Sequence, residues 1–319
     1  MKTSKEILFG KKTWIALAIL VIFLALFGAS SLKAKSYVYV DDDASGTMDG
    51  SSDHPYDEIQ DAINRAKKKD KDVYIKKGEY VENIEIWGGV EVVGADRDKV
   101  TIKGKKGDQP VVEMYDKTSI QKVTIRKGRH GVKVREGAAA TIKKCEIKDN
   151  YRDGINVKDA KTSNRKKLRV VENEIHDNDW SGIYSEMRKV YIFDNEIFEN
   201  GKDGIDMEKR SEGVIKSNYI AKNRGVGIKM AIDDSADSYI NKNTLRDNRR
   251  DGIEIRAYGE NGFIQIDRNK LYQNKRWGIA RIEKEPFRDD QWNASLKIIG
   301  DNVYWENGNG QVSPIISVY

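Results

Sequence analysis

Apolar and polar positions fall into three successive patterns along the chain. From Trp14 to Phe27 every residue is apolar, with Lys2, Lys5, Lys11 and Lys12 before the run and Gly28, Ala29, Ser30 and Ser31 after it. No polar face interrupts the run, so it does not read as a soluble surface helix. Its fourteen residues suit the core of a secretory signal followed by a small-residue cleavage site. Counted on to Leu32 the run reaches nineteen, close to the about twenty that cross a bilayer. Residues 1–35 are therefore expected to be a signal peptide or an N-terminal anchor spanning 14–32. In both cases the preceding lysines send the remainder out of the cytoplasm. No Cys directly follows the run, which excludes a lipoprotein anchor.

The second pattern is helical. In Pro55–Ala66 the residues Ile59, Ala62, Ile63 and Ala66 share one face. The helix could start with Pro55 in its first turn, or with Asp57 as cap and Gln60 reaching back. The third pattern is short alternation of period two: Val73–Ile75, Ile84–Ile86, Val90–Val93, Val100–Ile102 and Val123–Ile125, each bounded by turn residues.

From Gly131 onward that alternation repeats. Asn173–Asn178, Asn195–Asn200, Asn218–Asn223, Asn243–Asn248 and Asn269–Asn274 each carry Asn at both ends and Ile or Leu in the third position. Cys145–Asn150 and Asn302–Asn307 flank them. Four residues after the closing Asn comes Gly-Ile, at 154–155, 182–183, 204–205, 227–228, 252–253 and 278–279. Ile155 to Ile279 is 124 residues over five intervals, about 25 each. Such a unit cannot bury its own apolar face and must stack on its neighbours. Each holds three short strands: Gly-Ile, a Val/Ile-rich run such as Phe263–Ile266, and Asn-x-Ile. The expected fold is all-β, a single-stranded parallel β-helix with three strands per coil and about ten coils. Residues 36–72 supply an N-terminal strand and capping helix, and 73–319 the β-helix. No unit carries a helical period, which excludes ankyrin, tetratricopeptide and leucine-rich arrays. The Asn columns read as structural ladders, since Asn tolerates left-handed backbone at bends and amides can bond from coil to coil. The glycines read as bend residues, and Cys145 as a small buried hydrophobe.

The opening of the repeat region resembles the right-handed parallel β-helix superfamily, the pectin-lyase-like fold. The similarity lies in Tyr37–Asp43, Pro55, Ile59-Gln-Asp-Ala-Ile63, Val73-Tyr-Ile75, Gly78-Glu-Tyr-Val-Glu-Asn-Ile84 and Gly89–Gly94, and extends over about residues 36–312. It implies a right-handed coil and an extracytoplasmic setting. The superfamily contains pectate lyases, polygalacturonases, pectin methylesterases and alginate epimerases, together with non-catalytic surface proteins and periplasmic assembly factors for copper enzymes. No catalytic motif carries over whole. Arg129-His130-Gly131 and Gly227-Ile228-Lys229 echo the polygalacturonase set without its remainder, and Asp53-His54-Pro55 has the wrong order for the epimerase motif.

Composition narrows the partners. The 57 Lys+Arg against 51 Asp+Glu are interspersed and include no nucleic-acid-sized basic block, so no nucleic acid is expected. One Cys and three scattered His exclude a thiolate cage or a multi-histidine centre. Aligned on Gly-Ile, one outward column is Asn156, Tyr184, Asp206, Lys229, Glu254, and the next is Lys158, Glu186, Glu208, Ala231, Arg256. Asp203, Asp206, Glu208 and Glu254 are the candidate catalytic carboxylates. Tyr184, Glu186, Lys229, Asp251, Arg256, Trp277 and Trp292 are the candidate substrate contacts, bordered by Tyr258 and by the loops 159–167, 233–237 and 283–292. Paired Asp could hold Ca²⁺, though no cofactor is required and no metal site is assigned. The expected partner is an acidic or neutral polysaccharide bound by a monomer, which it could cut by lyase or hydrolase chemistry, epimerise, or only hold. The rival reading is a non-catalytic surface scaffold, adhesion protein or assembly factor whose charges serve as cross-strand pairs.

Overall fold

The computed structural model describes residues 35–158, 167–208, 211–232, 237–257, 262–281 and 296–314. The apolar run 14–32 lies outside the described residues. Among those described, no helix is long and apolar enough to cross a membrane. The fold belongs to the unit Tyr37–Tyr319.

Three parallel sheets of eleven, ten and ten strands wind as one right-handed solenoid. In the Gly-Ile sheet, Ile155, Ile183, Ile205, Ile228, Ile253 and Ile279 pair in register from coil to coil. The Asn-x-Ile sheet stacks Ile125, Ile147, Ile175, Ile197, Ile220, Leu245 and Leu271 in the same way. All of these side chains are sealed in the core. The repeat also begins earlier than its Asn marks, since Gly78–Val81, Val112–Met114 and Thr118–Gln121 are strands of the first coils.

Helix α1 (Ile59–Lys69) buries Ile59, Ala62, Ile63 and Ala66, as the spacing predicts. It packs on Tyr37–Val40, Asp72–Ile75 and Ile84–Ile86, the last of these being the end strand of the Gly-Ile sheet. Neither predicted start is used. Glu58 is the N-cap and makes no side-chain cap bond. The orphan N–H groups of Ile59 and Gln60 donate instead to the two carboxylate oxygens of Glu82, at 2.8 and 3.0 Å. Gln60 accepts from the Glu85 amide and donates to the Glu85 carbonyl, pairing with the open edge of this end strand.

Two asparagine ladders line the corners flanking the Asn-x-Ile strands. One runs Asn150, Asn178, Asn200, Asn223, Asn248, Asn274, Asn307, with each Nδ2 donating to the next Oδ1 at 2.9–3.0 Å. The other runs from Asn173 to Asn302, and the Cys145 amide begins it by donating to Asn173 Oδ1. The left-handed residue is not the Asn but the one before it, as at Asp149, Asp177, Glu199, Lys222, Asp247 and Gln273. At Asn150, Asn178 and Asn200 the amide closes that bend by donating to the carbonyl two residues back, at 3.0 Å for Asn178 to His176. The ladder glycines are likewise not left-handed. At Gly204 an added Cβ would lie 2.6 Å from Ile220 Cγ2 and 2.7 Å from the Gly227 carbonyl. Close stacking demands the glycine there, not a positive φ.

Candidate functional site

The Gly-Ile sheet sets the predicted column in strand register: Asn156, Tyr184, Asp206, Lys229 and Glu254 oppose one another in successive coils. At about 4.8 Å per strand, Tyr184 to Glu254 covers about 14 Å. Lys158 pairs with Glu186 and Ala231 with Arg256 in the second column.

The centre is a three-group cluster. Lys229 Nζ lies 2.8 and 2.9 Å from the two oxygens of Asp206 and 2.6 Å from Glu208 Oε1. Only Oδ2 of Asp206 is met at hydrogen-bonding geometry. Asp206 is buried, at 7% exposure, contrary to the expectation that this column faces water. Two carboxylates thus share one ammonium and leave one surplus negative charge in a poorly solvated place. Burial pushes the Asp206 carboxyl up to about 7, with Asp203 and Glu208 adding to the rise and Lys229 restraining it. Burial alone would lower the Lys229 ammonium, but Asp206 and Glu208 outweigh it and raise it. A carboxyl that exchanges its proton near neutrality beside a fixed cation can act as a general acid or base.

The flanking groups divide into two kinds. Tyr184 donates its hydroxyl to Glu186 Oε2 at 2.9 Å, and Lys158 reaches the same oxygen at 2.8 Å. Burial, then the Glu186 bond, raises the Tyr184 phenol. Glu254 is fully buried, which also departs from a solvent-facing column. It accepts two bonds from Arg256, at 2.9 and 2.7 Å, and one from Arg250 at 3.3 Å. Burial raises its carboxyl against both guanidinium groups. Sealed in this way, Glu254 holds Arg256 and Arg250 and presents no surface to solvent.

Asp203 and Asp251 do a different job. Asp203 Oδ1 accepts the Val226 amide at 2.7 Å, and Asp251 Oδ1 accepts the Trp277 amide at 2.9 Å. Asp153 does the same for Ser181. Three coils therefore use the residue before Gly to tie down the next bend, and Asp251 is raised by burial despite its bond. Trp277 begins its strand half-buried beside that bend. Trp292 and Tyr258 lie outside the described residues, as do most of the three loops. Clefts on the described surface open elsewhere, one of about 320 Å³ against the Val/Ile sheet and one of about 420 Å³ near Arg224 and Arg249.

Sequence reasoning missed a second polar cluster, formed by Glu146, Glu174 and His176 on the Asn-x-Ile sheet. Its signal was available. Aligning the outward positions of that strand, as was done for Gly-Ile, puts Glu146 opposite Glu174 and Lys148 opposite His176.

The family whose sequence pattern is described as a right handed beta helix region matches residues 111–231 and 161–293, more than half of the chain. The protein belongs to the right-handed β-helix family. No curated protein matches it significantly by sequence. Among solved structures it is similar to the pectate lyase Pel9A, at 14% identity and TM-score 0.65, covering 88% of this chain and 78% of that one. It is also similar to an alginate lyase from Paenibacillus sp. strain FPU-7, at 11% identity and TM-score 0.62, covering 80% and 96%. The Dettilon tailspike protein aligns at 16% identity and TM-score 0.57 over 86% of this chain, which spans 61% of the tailspike's length. At such identities the likeness is one of fold.

Proposed function

We propose that this β-helix protein binds polysaccharide along its Gly-Ile face, outside the cytoplasm, and that Asp206 performs acid–base chemistry on the bound chain. The observation that carries the reading is the Asp206–Lys229–Glu208 cluster, which places a carboxyl raised to about 7 beside a fixed ammonium in mid-sheet. Tyr184 and Arg256, one coil before and two coils after Asp206, would contact sugars on either side. Lys229 would neutralise a substrate carboxylate or the charge that develops as Asp206 takes a proton. The lysines before the apolar run 14–32 support export, and the lyases and tailspike among the structural neighbours support a polysaccharide ligand.

A second reading, a non-catalytic scaffold, is favoured by the carboxylates that are already satisfied. Asp153, Asp203 and Asp251 spend an oxygen on the backbone of the next coil. A panel of acidic and neutral glycans offered to the full chain separates the two. The enzyme reading expects one glycan to be bound and turned over, and Asp206→Asn to lose about 10²–10⁴ of the turnover while still binding. Unchanged turnover in that variant removes Asp206 from the mechanism. A folded chain that binds nothing in the panel favours the scaffold.

A further inference from the structure

The cluster on the Asn-x-Ile sheet is built from two adjacent coils and is independent of the polysaccharide reading. Glu146 and Glu174 face each other in strand register, with His176 two residues beyond Glu174. One donor atom from each of the three lies within 4.8 Å of the others. His176 Nε2 stands 3.2 Å from Glu146 Oε1 and 3.8 Å from Glu174 Oε1.

Every outward-facing atom of these three side chains is already held. His176 Nδ1 is 2.8 Å from Asp177 Oδ2. Glu146 Oε2 accepts the Thr124 hydroxyl at 2.8 Å. Glu174 Oε2 meets Arg97 at 3.1 Å. The imidazole plane is set by Phe198, stacked at 4.7 Å and 4°. In the tautomer that donates Nδ1–H to Asp177, the Nε2 lone pair faces Glu146 Oε1 and Glu174 Oε1, so that three donor atoms converge on one point. Second-sphere carboxylates that orient a ligating His in this way are a regular part of metal sites.

We propose that Glu146, Glu174 and His176 form a binding site for a divalent transition-metal ion of the Zn²⁺ kind. One imidazole with two carboxylates suits such an ion better than Ca²⁺, which takes six to eight oxygens. The 3.2 and 3.8 Å separations bracket the roughly 3.4 Å edge of a tetrahedron with about 2.1 Å bonds. Partial exposure of Glu146 and Glu174, at 18% and 28% of their side chains, leaves the fourth position to solvent. Lys148 Nζ also touches Glu146 Oε1, at 2.7 Å. A carboxylate oxygen has two lone pairs and can serve both, but the ammonium opposes a metal electrostatically.

Zn²⁺ alone, titrated calorimetrically into the full chain in a non-chelating buffer, tests the site. Saturable binding is expected, weakened tenfold or more by His176→Ala and by Glu174→Gln. Glu196→Gln, at the same position one coil further on and exposed, should leave the affinity unchanged. Lys148→Met removes a repelling charge and no donor, and should tighten binding severalfold. Far-UV circular dichroism checks that each variant keeps its β-structure, and the near-isosteric Glu174→Gln keeps the test valid if His176→Ala does not fold. Failure of Zn²⁺ to bind saturably, affinity unchanged from the parent in His176→Ala and Glu174→Gln, or weaker binding in Lys148→Met would overturn the proposal.

Discussion

Two buried polar regions run along the same coils and answer the same problem in opposite ways. The asparagine ladders repeat one neutral residue, and each amide finds partners both in the coil before it and in the coil after. Asn223, for example, donates to Ile197 O and Asn248 Oδ1 and accepts from Asn200. The Gly-Ile column changes chemistry at every rung, from Tyr184 to Asp206 to Lys229 to Glu254, and its charges balance only locally. Uniform rungs reinforce one another, so a solenoid can lengthen by repeating them. Charged rungs cannot be uniform, because like charges about 4.8 Å apart repel. Repetition therefore marks what holds the column together, and a departure from it, in a buried place, marks where chemistry can be sought.

The comparison breaks most sharply at the ladder. Asn223→Ala should take from the Asn200 backbone N–H and the Ile197 carbonyl the partner each has in the core, costing about 3 kcal/mol or more. Urea unfolding should shift accordingly, and amide exchange should accelerate first in the coils around Asn200 and Asn248. A loss below about 1 kcal/mol would mean that water replaces the amide and that the ladder is not essential. Gly204→Ala should cost less, about 1–3 kcal/mol, as an overpacked methyl is absorbed by Ile220 and the Gly227 peptide. The same denaturation measurement checks it.

These positions also show what the sequence could disclose. The Asn and Gly-Ile spacing, the inward isoleucines and the apolar face of α1 are periodic, and periodicity is local information. Glu82 capping a helix 23 residues upstream is not, because only the closed coil brings it to Ile59. The left-handed residue before each Asn was hidden for another reason: Asp, Glu, Lys and Gln all occupy it, so no residue type announces it. In the candidate site the register of the column was legible, but its solvation was not. Alternation says which side of a strand a residue takes, and Glu254 shows that the outer side of a sheet can be as dry as the core. Asp203 read as a catalytic candidate and Asp251 as a substrate contact for the same reason, since a carboxylate before a bend is indistinguishable in sequence from one aimed at a ligand.

Smallest over any single pH unit, but best at separating the two regions, is the response to pH, because a neutral ladder has no pH dependence and the charged column must. Asp206 in the folded protein is raised from its ordinary 3.8 to about 7. Between those values the folded chain holds a proton there that the unfolded chain has released. Stability from this group is thus fully present below about pH 4 and is lost as pH rises through about 7. The local slope is at most about 1.4 kcal/mol per pH unit, the value of one whole proton. Asp206→Asn carries no such proton, and its stability should be flatter than the parent's across this window. The gap between the two should favour the parent most at low pH and shrink or reverse by pH 8. Asn223→Ala, by contrast, should lower the curve by the same amount at every pH. Urea midpoints of the three proteins from pH 4 to 8 supply the measurement. A parent and an Asp206→Asn variant with parallel curves would mean that Lys229 keeps Asp206 ionised throughout, leaving the Gly-Ile column as inert as the ladder beside it.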